Sequence, residues 1–273
     1  MIIDFHIHSD TSSDNKMNIK DIYEAAAAKG IKHICITNHH EPSEITKGDF
    51  RQSMTDDELE STKRQIEELK KDSRVKIYFG VEMSYTEENE EYIRKYLAGN
   101  GFDFVLGSIH YTNGMVVSDA KNREKMQGKD PAKVRQEYLR LLKKAIKTKL
   151  FDVMSHLDIY QRILDDIPFE QAKKDWEEVA DLMVENGVGF EMNTSKSKPY
   201  SNIVPPRPGS TYPSKEIIKL LVNRGVRRIT IGSDAHALDE IGHELDGATE
   251  FLKSIGIKEV YRFEKREAIP EPL

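Results

Sequence analysis

The chain opens with Met1-Ile2-Ile3-Asp4-Phe5-His6-Ile7-His8, and the fold turns on how this stretch is read. The apolar, β-branched run from Met1 to His6 has the composition of a strand. His6 and His8 alternate with Phe5 and Ile7. On an extended chain both imidazoles therefore share one face, and the apolar pair is expected to face surrounding helices. An H-x-H pair at a strand end is a metal-ligand signal.

Working outward, short β-rich runs recur, each followed by a segment of helical period. Strands are expected at Met1 to His6, His33 to Asn38, Lys76 to Glu82, Asp103 to Ser108, Asp152 to His156, Val188 to Asn193 and Arg228 to Asp234. Helix starts are marked by Asn18, the capping box Thr55-Asp56-Asp57-Glu58, Asp130 before Pro131, and Ser214 before Lys215. Gly30, Gly187 and Gly225 each end a helical stretch ahead of a strand.

Metal-ligand residue types fall at the C-terminal ends of these strands. His6 and His8 end the first, His39 follows the second, Glu82 ends the third and His110 follows the fourth. His156 ends the fifth, and Asp234 and His236 end the seventh. A parallel barrel brings all such ends to one mouth, which an open doubly wound sheet cannot do. The expected fold is therefore α/β, a closed or nearly closed barrel of seven β/α units. No linker or composition break divides residues 1–273, so one domain is expected.

The 273 residues carry 41 basic and 47 acidic side chains for a net charge of -6, mixed along the chain. No basic stripe suggests nucleic acid or an anionic membrane, and a small soluble substrate fits better. No apolar run approaches the roughly 20 residues that span a bilayer. Cys35 is the only cysteine, in the apolar run His33-Ile34-Cys35-Ile36-Thr37, and reads as a buried small side chain. A reduced, cytoplasmic setting is expected. Imidazoles and carboxylates without thiolates suit zinc, iron or manganese. The carboxylate of Glu82, alone in Phe79-Gly80-Val81-Glu82-Met83, has two oxygens with which to bridge neighbouring ions.

Together, His6-Ile7-His8, Thr37-Asn38-His39, Gly80-Val81-Glu82, Ser108-Ile109-His110, Ser155-His156-Leu157-Asp158 and Gly232-Ser233-Asp234-Ala235-His236 resemble the PHP (polymerase and histidinol phosphatase) family, over nearly the whole chain. The resemblance implies a single distorted (β/α)7, TIM-like barrel with a site for two to three divalent ions (Zn, Fe or Mn). It implies one ion on His6, His8, Glu82 and Asp234, a second on Glu82, His110 and His156, and a third on Asp14, His39 and His236. Asn38 stands where many members have aspartate. Glu191-Met192-Asn193-Thr194-Ser195, Tyr212-Pro213-Ser214 and Arg162, six residues after His156, resemble the histidinol-phosphate phosphatase branch. That branch often has Gly-Leu-Arg after Asn-Thr-Ser, where this chain has Lys196-Ser197-Lys198, so Lys198 or Arg207 is expected to stand in for the arginine.

The implied reaction is hydrolysis of L-histidinol phosphate to L-histidinol and phosphate, a step of histidine biosynthesis, by a metal-activated hydroxide. Glu82, Asp234, His236 and Arg162 are the expected catalytic residues. Arg162, Lys198 and Arg207 are the expected phosphate contacts, with His40 and Ser233 expected just outside the ligands. The alternatives are a phosphoesterase for another small ester or nucleotide, a metal-dependent amidohydrolase, and a non-catalytic metal-binding module. Asp14, His39 and His236 favour the phosphoesterase over the amidohydrolase. The sequence assigns no oligomeric state.

Overall fold

The computed structural model describes residues 3–12, 15–41, 53–164, 168–195 and 211–273. Its strands are β1 (Ile3–Ile7), β2 (His33–Ile36), β3 (His39–His40), β4 (Lys76–Ser84), β5 (Phe104–Ser108), β6 (Tyr111–Thr112), β7 (Met115–Val116), β8 (Val153–Met154), β9 (Gly189–Asn193), β10 (Ile229–Gly232), β11 (Glu259–Glu264) and β12 (Glu267–Pro272). Its α-helices are α1 (Ile19–Ala28), α2 (Asp56–Leu69), α3 (Glu90–Asn100), α4 (Pro131–Thr148), α5 (Phe169–Asn186), α6 (Lys215–Asn223) and α7 (Leu245–Ser254).

Parallel pairing runs β1-β2-β4-β5-β8-β9-β10, with β3 added against β4. The ring closes where Asp234 N donates to His6 O at 2.8 Å and His8 N to Ala235 O at 3.2 Å. All seven expected strands are present in a nearly closed barrel. β8 is shorter than expected, and His156 lies in the loop beyond it, where its N–H donates to the side-chain carboxylate of Glu191 on β9 at 3.1 Å instead of to a backbone carbonyl.

The helix starts follow local chemistry. Asn18 accepts from Asp21 N, Thr55 and Glu58 form the reciprocal capping box, and Asp130 accepts from Ala132 N ahead of Pro131. Ser214 is the exception: its side chain makes no cap, and its N–H instead donates to Asp158 Oδ2 at 3.0 Å. Gly30, Gly187 and Gly225 have φ of 69°, 69° and 104°, the left-handed backbone expected of helix ends.

The expected outward direction of Phe5 is wrong, for a reason visible in the register. Ile3 pairs with His33 and Asp4 with Ile34, yet Ile7 pairs with Ile36, so β1 carries one extra residue. This bulge resets the alternation. Phe5 therefore turns its ring onto Tyr78 and Phe104, with centroids 5.3 and 5.4 Å away, while His6 still reaches the mouth.

The base of the barrel is closed by the hairpin β11-β12, which the strand pattern did not foresee. Phe263 packs on Phe104 at 5.0 Å, and Arg262 lies over the Tyr78 ring. Each buried ring contributes about 1.5–3 kcal/mol by leaving water. The hairpin turns through Lys265 and Arg266, at φ of 50° and 69°. Asp103 holds this turn by accepting from Lys265 N at 3.1 Å, and Asp152 does so by accepting from Arg266 Nε at 2.5 Å.

Candidate metal centre

The strand ends deliver their histidines and carboxylates to one buried cluster. Glu82 stands at its centre and divides its two oxygens. Oε1 lies 2.9 Å from His156 Nε2 and 3.2 Å from His110 Nε2. Oε2 lies 2.8 Å from His39 Nδ1, 3.4 Å from His6 Nε2 and 3.7 Å from His8 Nε2. Asp234 Oδ1 completes the second side, 3.2 Å from His8 Nε2 and 3.4 Å from His6 Nε2. His8 lies against both His39 and His236, with ring centroids 4.2 and 4.3 Å away.

Three groups of side chains thus have donor atoms close enough to share an ion: His6-His8-Asp234, Glu82-His110-His156 and His8-His39-His236. The first two match the expected sets, with Glu82 beside the first as well. The third joins His39 and His236 of the third expected set to His8; Asp14 lies outside the described residues, as do Lys198 and Arg207. A fourth group, His39-Glu41-His110, was not anticipated.

These donors fit divalent ions. His6 and His8 point Nε2 atoms at each other across 3.0 Å, and His110 and His156 do so across 3.3 Å. Glu82 Oε2 is buried and has no hydrogen-bond donor among the described residues. Such atoms are costly to bury without a shared cation. The local electrostatics agree. Burial, reinforced by the His39 and His236 charges, pushes His8 down to about 3, which leaves a neutral imidazole. Burial opposes ionisation of Glu82 and Asp234, but the surrounding imidazoles outweigh it and hold both well below the usual carboxylate range.

Behind the donors stands a supporting layer of hydrogen-bonded side chains, and the sequence reading gave Glu191 no role in it. Glu191 accepts from His6 Nδ1 at 2.7 Å and from Asn193 Nδ2 at 3.1 Å. Its signal was an isolated acid on the otherwise uncharged strand β9. Gly232 has to be glycine here, because a Cβ would sit 2.4 Å from His6 Cβ and 2.5 Å from Glu191 Oε1. Asp4 pins the last strand end by accepting from Ser233 N at 2.8 Å, Ser233 Oγ at 2.7 Å and Gly242 N at 2.9 Å. Ser233, the residue before Asp234, is therefore tied to β1. Asn38 accepts from Ser9 N at 2.7 Å and donates to Ser9 Oγ at 2.9 Å, which ties the residue before His39 to the segment after β1.

His40 is a correction. As the next residue after His39 on β3 it faces the other way, stacking on Tyr96 at 3.9 Å and meeting Tyr92 Oη at 2.7 Å. Arg162 sits at the β8-β9 side of the mouth. It donates to Ser118 O at 3.1 Å and Ser195 Oγ at 3.4 Å, and lies over the Tyr212 ring.

Residues 4–195 match the family model described as PHP domain. Among curated proteins, the chain is 27% identical to a probable histidinol-phosphatase of Clostridium acetobutylicum, over 97% of this chain and 98% of that one. It is 24% identical to a histidinol-phosphatase of Lactococcus lactis, over 96% and 94%. Among solved structures, it superposes on the histidinol phosphate phosphatase of Lactococcus lactis, complexed with zinc, L-histidinol and phosphate. The TM-score is 0.81 at 21% identity, covering 98% of this chain and all of that one.

Proposed function

This chain belongs to the PHP domain family, and from that premise we propose that it is a metal-dependent phosphomonoesterase acting on L-histidinol phosphate. The observation that carries the reading is the split carboxylate of Glu82, one oxygen turned to each half of a histidine-rich cluster. Three ions are proposed, zinc, iron or manganese. The first would be held by His6, His8, Glu82 and Asp234, the second by Glu82, His110 and His156, and the third by His39 and His236 with Asp14. Divalent ions there supply charge neutralisation for the phosphoryl oxygens and acidify water toward neutral pH.

The chain's own residues do the rest. Glu191 keeps the proton on His6 Nδ1 and leaves Nε2 facing the cluster. His236, whose side chain is about a quarter exposed, is on the open side of the mouth, where a phosphate enters. Arg162 is proposed to hold the outer phosphate oxygens, with Lys198 or Arg207 assisting. Its guanidinium is already oriented by Ser118, Ser195 and Tyr212, so little freedom is lost on binding. Residues 1–273 are proposed to act as one catalytic barrel domain in the cytoplasm. No helix among the described residues is long and apolar enough to cross a membrane.

The likeness to histidinol-phosphatases along nearly the full length of this chain and of those relatives supports the substrate. The altered segment Lys196-Ser197-Lys198 favours one second reading, another small phosphate ester. Turnover of histidinol phosphate by metal-replete protein, measured beside a panel of sugar phosphates and nucleotides, separates the two. The proposal expects histidinol phosphate to lead by at least about tenfold in kcat/KM, about 1.4 kcal/mol of discrimination. Equal or faster turnover of the panel would overturn the substrate, and no phosphate release from any ester would overturn the reaction.

A further inference from the structure

The fourth donor group contains a carboxylate that no expected ligand set includes. Glu41 lies just past β3 and is fully buried, with Oε1 hydrogen-bonded to His110 Nδ1. The other ring nitrogen of His110 faces the cluster, 3.2 Å from Glu82 Oε1 and 3.3 Å from His156 Nε2. The same construction stands on the opposite side of the mouth: Glu191 takes His6 Nδ1, and His6 Nε2 faces the cluster. Each half of the centre therefore has one imidazole backed by a buried carboxylate.

We propose that Glu41 is a positioning residue for metal binding, fixing the tautomer and ring angle of His110 and strengthening its Nε2 as a donor. The inference rests on reading the cluster as a metal centre. A carboxylate on the far nitrogen of a metal-binding imidazole holds the proton there and raises the basicity of the nitrogen that binds. Direct ligation by Glu41 fits the geometry less well. Glu41 Oε1 is already bonded to His110 Nδ1 and lies 3.9 Å from His39 Nδ1, so it serves the ring rather than a shared ion. The backbone is built to hold Glu41 in place: Ser53 Oγ donates to the Glu41 carbonyl, and His40 bridges Ser53 in antiparallel fashion. Glu41 is thus held by Ser53 on its backbone and by His110 on its side chain.

The test is metal titration of the full-length chain with zinc or manganese against a competing chelator, with Glu41→Gln, Glu41→Ala and Glu41→Asp beside the wild type. Gln keeps an acceptor for His110 Nδ1 without the charge, so about tenfold weaker binding of one ion is expected; Ala removes both and should cost about a hundredfold. Asp should recover part of the Ala loss. The number of ions bound at saturation should stay at the wild-type value, and the remaining ions should bind as before. Cobalt loading provides a spectroscopic check, because the visible band of the affected ion should shift while the others hold.

Affinities within twofold of wild type in both Gln and Ala would overturn the proposal. So would the loss of one whole ion at saturation, which would make Glu41 a ligand, or an equal weakening of every ion. A wild type that binds no divalent ion would remove the metal-centre reading and this inference with it. None of these measurements uses a phosphate ester, so failure of the histidinol phosphate assay on metal-replete protein would sink the substrate while leaving Glu41 standing.

Discussion

The two ends of the barrel bury charge in opposite ways. At the base, charges meet their opposites: Arg266 pairs with Asp152 at 2.5 Å, and Arg262 with Glu271 at 2.6 Å and Glu264 at 3.1 Å. At the mouth, imidazole nitrogens face one another across 3.0 and 3.3 Å around carboxylates that are held ionised. At the base each guanidinium has a carboxylate beside it. The mouth is arranged for cations from outside. Between them lies a floor of aromatic rings from Phe5, Tyr78 and Phe104, so each end is expected to answer to its own perturbation.

The largest effect should come from the centre of the mouth. Glu82→Gln removes the charge shared by both halves and should lower kcat/KM for histidinol phosphate about a thousandfold, about 4 kcal/mol, with fewer ions per chain by elemental analysis. Full activity at normal metal content would end the idea of a shared carboxylate. Next, Phe263→Ala opens a hole under the floor and should cost about 3–4 kcal/mol in denaturant unfolding with metal content unchanged. Metal loss in that variant would show that the two ends are not independent.

A smaller change is expected behind the cluster. Glu191→Gln should weaken one ion by about 10- to 100-fold in chelator competition while leaving the base intact. Unaltered affinity would mean that Glu191 serves only the backbone of His156.

The smallest effect sharpens the contrast through pH. Burial raises Asp152 above the ordinary carboxylate value despite the opposing Arg266 charge, so the folded state holds its proton longer than the unfolded one. Stability on this account falls as pH rises above about 4. Arg266→Ala raises Asp152 further. Its deficit should open above that pH, reach about 1–2 kcal/mol near neutrality after allowing for the partial exposure of Arg266, and shrink in acid to the loss of its bond to the Leu150 carbonyl. A deficit that does not vary with pH would remove the Arg266–Asp152 pair from the account of the base.

What was legible in the sequence follows from this division. The seven strands and the cluster of histidines and carboxylates at their ends could be read because parallel strand ends converge on one mouth and are marked by composition. Glu41 and Glu191 were missed because their partners are 69 and 185 residues away, beyond any local pattern. The hairpin from Glu259 to Pro272 was missed because only Val260 and Phe263 are fully buried in it, too few to print a strand period. His40 was misjudged because a two-residue strand sends adjacent histidines to opposite faces.

The bulge in β1 has one more consequence, for how this chain is set beside distant relatives. Strict alternation would place a one-residue gap between Asp4 and Ile7 and count it as noise, although that residue lets a single strand serve both the aromatic floor and the metal mouth. An alignment or a redesign that tidied β1 into an ideal ladder would have to surrender either Phe5 or His6, so the irregularity is what lets one strand do two jobs.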